Sequence, residues 1–166
     1  METLEAILTR RSIRRYTEEQ VPQETIQKLL EAGMCAPSAC DFQPWHLVVI
    51  DDHKILDEIP SFHRHAAMLR EAPLAILVCG DPETSRYWQQ DCSAVSQNIL
   101  LAAHAMGLGA VWLGLYPREA RTQPMQKLLG LPETIMPLSL IALGHPAEEK
   151  APRVKPQDEK VHYNRW

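Results

Sequence analysis

A chain of 166 residues, 45% hydrophobic and 23% charged, carries enough apolar mass for one core, which predicts a single domain over residues 1–166. Its 17 Lys and Arg against 21 Asp and Glu leave a formal charge of −4, which argues against nucleic-acid binding through a general basic field; any anion site must be local. No apolar run approaches the ~20 residues of a membrane span, and the N-terminus lacks a charged-then-apolar leader, so the expected setting is the cytoplasm with no membrane partner.

Apolar spacing predicts helices over Thr3–Thr9 and Gln23–Met34, the second opened by Pro22, where a helix start tolerates proline. His46–Ile50 and Leu74–Cys79 read as strands inside a covered sheet, ended by the Asp51-Asp52 and Gly80-Asp81-Pro82 turns. Trp88–Met106 is the longest helical pattern and is apolar on more than one face, so it must be buried on several sides. Gly107 suits its C-cap, Gly109–Leu115 reads as the third strand, Arg118–Leu129 as a helix stopped by Gly130, and Leu138–Gly144 as the fourth strand. Beyond His145, prolines punctuate a charged stretch, and the closing Tyr163 and Trp166 call for a surface on which to pack, in this subunit or another.

Two segments carry the chemistry. If Arg10, Ser12 and Arg14 leave the first helix in extended conformation, period two places two guanidinium groups and a hydroxyl on one side, an anion cradle. The same spacing also suits a second reading, in which Arg10, Arg11, Arg14 and Arg15 complement the negative end of that helix. Ala36 to Trp45 combines a proline-punctuated turn, small residues, an amide and an indole, which fits either a planar hydrogen-bonding heterocycle or a rigid turn with Trp45 anchored in the core. Gly107-Leu108-Gly109 lacks the third glycine and following helix of a dinucleotide-binding fingerprint. Cys35, Cys40, Cys79 and Cys92 form no C-x-x-C pair, and His63-x-His65 lacks further ligands at metal spacing, so neither a disulfide nor a metal is expected.

Arg10-Arg11-Ser12-Ile13-Arg14, Ala36-Pro37-Ser38 through Gln43-Pro44-Trp45-His46, Asn98 to Ala103, Gly107-Leu108-Gly109, Trp112-Leu113-Gly114 and His162 to Trp166, in this order, resemble the FMN-dependent nitroreductase family over nearly the whole chain. The resemblance implies an α+β fold, a central mixed sheet of about four core strands covered by helices, with the C-terminal tail extending onto the partner of an obligate homodimer. It implies FMN at the subunit interface and hydride transfer from a transiently bound NAD(P)H to nitroaromatics, quinones or similar small acceptors by a ping-pong mechanism. The alternatives are a flavin-fold dehalogenase, desaturase or flavin-modifying enzyme, and a non-enzymatic dimeric flavin-binding protein; the short interval from Gly80 to Tyr87 leaves little room for a substrate lid.

Carried over by position, Arg10, Arg11, Ser12 and Arg14 would meet the FMN phosphate, ribityl chain and pyrimidine end. Pro37 and Ser38 would come from the partner. Trp112, Leu113 and Gly114 would approach the flavin N5 side with backbone groups, Arg153 and Lys155 would flank the phosphate, and His65 would stand where the family often presents an amide. Flavin N5 carries the chemistry and no side chain is catalytic; Arg14 would be a permanent electrostatic stabiliser. Asp41 stands where members of this subtype often have Asn, and a carboxylate cannot donate as an amide does.

Overall fold

The sheet forms from four apolar runs: β1 (Trp45–Ile50), β2 (Leu74–Gly80), β3 (Gly109–Gly114) and β4 (Met136–Gly144). In this computed structural model, which describes residues 1–152 and 158–166, they lie in the order β1-β2-β4-β3 with every neighbouring pair antiparallel. Among the described residues, parallel pairing enters only through an isolated bridge between Ser12 and Ala110. The α+β class and the four core strands are as the sequence predicts.

Period two along the central strands splits the core into two layers. Leu74, Ile76, Val78, Ile141 and Leu143 face the layer containing α2 (Gln23–Met34) and α4 (Trp88–Ala105). Ala75, Leu77, Cys79, Leu140 and Ala142 face the layer closed by α3 (His53–Glu58), short 3₁₀ turns and α5 (Glu119–Leu129). Cys79 and Cys92 are buried free thiols, and burial holds both well above the ordinary thiol range. β1 departs from expectation: it is one of the two sheet edges, with only Ile50 fully buried, whereas the other edge, β3, is covered by the segment of Ile13. The sequence reading also misses α3, a single short helix within the connection from β1 to β2.

α4 confirms the prediction of burial on several sides. Its face of Trp88, Cys92, Val95, Ser96, Ile99, Leu100 and Ala103 is buried, and α2 packs alongside it, with the Asn98 amide donating to Ala32 O at 3.0 Å. Ala94, Leu101 and Ala102 of the same helix stay half-buried. Further unpartnered apolar surface lies on α1 (Thr3–Thr9), where Leu4, Ile7 and Leu8 are exposed, and on the tail, where Tyr163 and Trp166 are open. Among the described residues, no helix is long and apolar enough to cross a membrane.

Candidate functional site

α1 ends at Arg10, whose φ/ψ of −54/131° is already extended, as the period-two reading requires. The chain then runs beside β3. Ile13 N–H donates to Ala110 O at 3.0 Å, Thr17 N–H to His145 O at 2.9 Å and Ala147 N–H to Arg15 O at 2.9 Å, so the arginine segment is laced between β3 and the chain leaving β4. Gly109 makes this approach possible: a Cβ there would stand 2.6 Å from Ile13 Cγ2.

Arg10, Arg11, Ser12 and Arg14 line one cavity of about 580 Å³ together with Ile7, Leu8 and Lys150. Lys150, which the sequence reading passes over, donates from Nζ to Ser12 O and to Glu148 Oε1, both at 2.8 Å. Glu148 also accepts from Arg14 N–H at 2.6 Å, and its hydrogen bond to Lys150 comes first among the causes that hold its carboxyl below the usual range. It braces the segment from behind while the cations face the cavity. Arg11 reaches Ala151 O with its guanidinium. Four cations and a hydroxyl with an apolar flank form a donor set fitted to a phosphate and the chain attached to it. Arg153 and Lys155 lie outside the described residues.

From Ala110 the strand runs about 14 Å to Gly114 at ~3.4 Å per residue. Leu113 is buried in the core, Trp112 is half-buried against the α4 layer, and a Cβ at Gly114 would meet nothing within 4 Å, so backbone there faces open space. Its carbonyl is held from the other side, at 3.1 Å from His63 Nε2 and 2.8 Å from the Arg121 guanidinium. His65 N–H donates to His63 Nδ1 at 3.3 Å, so His63 is neutral with its proton on Nε2. Burial first, then Arg121, lowers the His63 pKa. His65 itself is exposed and accepts from Arg64 Nε at 2.9 Å; the structure gives the positioning contact to its neighbour His63. Among the described residues, no cluster of ligand types could hold a metal ion.

Pro37 and Ser38 sit at the other end of the molecule's long helix. Ala39 N–H donates to Asp91 Oδ1 at 3.0 Å near the start of α4, and Ser85 Oγ donates to Asp91 Oδ2 at 3.1 Å. Thr9, next to the arginine segment, meets His104 at 2.8 Å near the helix end. Residues 91 and 104 are separated by about 20 Å of helix axis at ~1.5 Å per residue. Within one chain, the Ser38 turn and the arginine segment are thus far apart. The turn is tightly specified: Cys40, Asp41 and Gln43 have φ of 51°, 56° and 47°, Ser38 Oγ accepts from Gln43 N–H at 3.0 Å, and Asp41 accepts from the Gln43 amide at 2.9 Å. Asp41 therefore acts as an acceptor inside its own turn, where a carboxylate serves as well as an amide.

A model of the nitroreductase family matches residues 7–145. Among similar sequences, a Methanothermobacter thermautotrophicus protein carrying the provisional name NADH dehydrogenase/NAD(P)H nitroreductase is 48% identical over 169 residues, covering 100% of this chain and 88% of that protein. A Desulfovibrio desulfuricans structure, provisionally a nitroreductase in complex with FMN, superposes with a TM-score of 0.88 at 37% identity over 100% of this chain and 98% of that one. The NADPH:FMN oxidoreductase of Vibrio harveyi complexed with NAD+ gives a TM-score of 0.89 at 29% identity, covering 99% of this chain and 77% of that one.

Proposed function

This chain belongs to the nitroreductase family, and from that premise we propose that it is an FMN-dependent NAD(P)H oxidoreductase acting on nitroaromatics, quinones or similar small acceptors by a ping-pong mechanism. The observation that carries the reading is the cationic cavity of Arg10, Arg11, Ser12, Arg14 and Lys150 placed one strand length from the open backbone at Gly114. Phosphate and sugar chain suit the first, and a flat ring suits the second.

When bound, FMN supplies the centre that takes hydride from NAD(P)H and passes electrons to the acceptor. The protein's part is binding, orientation and charge. Arg10, Arg11 and Lys150 bind the phosphate end, with Ser12 on the chain beside it. Arg14 brings a guanidinium cation and favours extra negative charge on a ring placed against it. His63 and Arg121 fix the Gly114 carbonyl, which sets where β3 ends and where a ring can rest.

The same reading makes the protein a cytoplasmic homodimer. The ~20 Å of α4 between the Ser38 turn and the arginine segment means that one small ligand touching both must take them from different chains. Exposed Leu4, Ile7, Leu8, Tyr163 and Trp166 supply the apolar surface for that assembly. Anaerobic steady-state assays over quinones, nitroaromatics and enones test the activity. Parallel double-reciprocal lines for NADPH against a turned-over acceptor support it; intersecting lines exclude the ping-pong order.

A further inference from the structure

Beyond the strand end at Gly114 lies a group of charges of which the proposed chemistry uses only one nitrogen of Arg121. Arg64, Arg118 and Arg121 line a cavity of about 440 Å³ with Pro60, Ser61 and Phe62. Glu119 borders it as well, yet among the described residues none of the three arginines forms an ion pair. Arg121 spends one nitrogen on the Gly114 carbonyl, and Arg64 spends Nε on His65, which leaves the ends of both guanidinium groups free. Three like charges gathered at one cavity repel each other; burial first, then the closeness of Arg118 and Arg64, lowers the pKa of Arg121. In a chain of net charge −4, three arginines with one bordering carboxylate and no ion pair among the described residues leave a local positive excess that a bound anion would relieve.

Position decides which anion. Arg121 holds the Gly114 carbonyl on the side away from the open backbone proposed for the flavin ring, so the cavity borders that site, and a molecule with a flat end on the ring and anionic groups some way from it can span the two. A reduced nicotinamide dinucleotide has this form: a flat reactive end, and phosphates at a distance from it. We propose that Arg64, Arg118 and Arg121 form the subsite for the phosphates of NAD(P)H. The subsite rests on the oxidoreductase reading above. It lies apart from the cavity of Arg10 to Arg14, so donor and cofactor phosphates do not compete.

The test uses the FMN-loaded protein and the variant Arg64→Gln/Arg118→Gln, which leaves the Arg121 bond to Gly114 in place. Equilibrium dialysis measures NADP+ binding, and steady-state assays measure KM and kcat for NADPH, for NADH and for 1-benzyl-1,4-dihydronicotinamide, a donor with no phosphate. Loss of two charge-assisted contacts should raise the NADP+ Kd and the NADPH KM by at least about tenfold, leaving kcat and the benzyl donor unchanged. An equal rise for NADH places the pyrophosphate on the arginines; a rise confined to NADPH and NADP+ places the 2′-phosphate there. Unchanged NADP+ binding and NADPH KM would overturn the subsite, as would an equal loss with the benzyl donor, which would mark a structural effect on the flavin region. The underlying reading fails separately: wild-type protein that accepts electrons from the benzyl donor but from neither NADH nor NADPH would remove the donor assignment and the subsite with it.

Discussion

Replacing Gly109 by Ala tests the seat of the cofactor without touching a charge. The added Cβ would stand 2.6 Å from Ile13 Cγ2, 2.9 Å from its Cβ and 3.3 Å from its Cγ1, below or at the edge of ordinary contact. Ile13 is held by its N–H bond to Ala110 O, so it cannot swing away alone; the strain passes into Ser12 and Arg14 on either side. Overpacking of this kind costs about 1–3 kcal/mol. At ~3 °C per kcal/mol for a chain of this length, the melting temperature should fall by about 3–9 °C. FMN affinity should fall as well, since the hydroxyl and guanidinium groups shift together, and fluorescence titration of the apoprotein reads that change. Adding Ile13→Ala removes the contacts at 2.6 and 3.3 Å and should recover part of both losses. A lowered melting temperature with unchanged FMN affinity in Gly109→Ala would refute the claim that this segment seats the cofactor.

Arg14→Ala should lower the midpoint potential of bound FMN by about 20–40 mV, taking about 1–2 kcal/mol for a partly solvated charge, and more than Arg11→Ala, whose guanidinium is directed to Ala151 O; equal shifts in a redox titration, with binding measured alongside, would count against the role. His63 has a folded pKa below its unfolded value, so the folded state binds fewer protons, and its contribution to stability is full above about pH 6.5 and lost as pH falls through the folded value. Urea unfolding of His63→Gln should therefore show a shallower loss between about pH 7 and 5 than wild type; His104, whose pKa burial lowers in the same direction, contributes to the slope that remains. Deleting residues 161–166 should weaken dimerisation and FMN retention together, read by sedimentation with flavin absorbance in one run. A truncated monomer that keeps stoichiometric FMN would separate the two.

Local pattern made most of the fold legible. The strands at 74–80 and 136–144 are nearly continuous apolar runs, and Gly107 ends α4 with a φ of 80°, as its position promised. β1 misled because a run such as Leu47-Val48-Val49-Ile50 looks the same at an edge as in a sheet centre; pairing order is a property of the whole chain. In the site, period two grouped Arg10, Ser12 and Arg14, and the family resemblance added Arg11 and favoured the cradle over the helix-end reading. Lys150 and Asp91 were invisible because each acts through a contact distant in sequence, Lys150 on Ser12 and Asp91 on Ala39; Arg121 lies only seven residues from the Gly114 carbonyl, but the turn of chain that folds it back there, beside His63, has no periodic signal. The Glu148-x-Lys150 pair directly after β4 was the nearest available signal. The several-sided apolar pattern of α4 meets α2 and the sheet on its buried face and leaves Ala94, Leu101 and Ala102 half-buried, while α1 and the tail add exposed apolar side chains.

The central claim is that the arginine segment and the strand end at Gly114 together hold FMN for reduction by NAD(P)H. Its most direct measurement is an anaerobic titration in which apoprotein is loaded with FMN and then reduced, with flavin absorbance followed throughout. The account predicts uptake of one FMN per chain in preference to FAD, bleaching by a stoichiometric amount of NADPH or NADH, and return of colour when a quinone is added. Protein that takes up no FMN, or holds it without bleaching under either nucleotide, would contradict it.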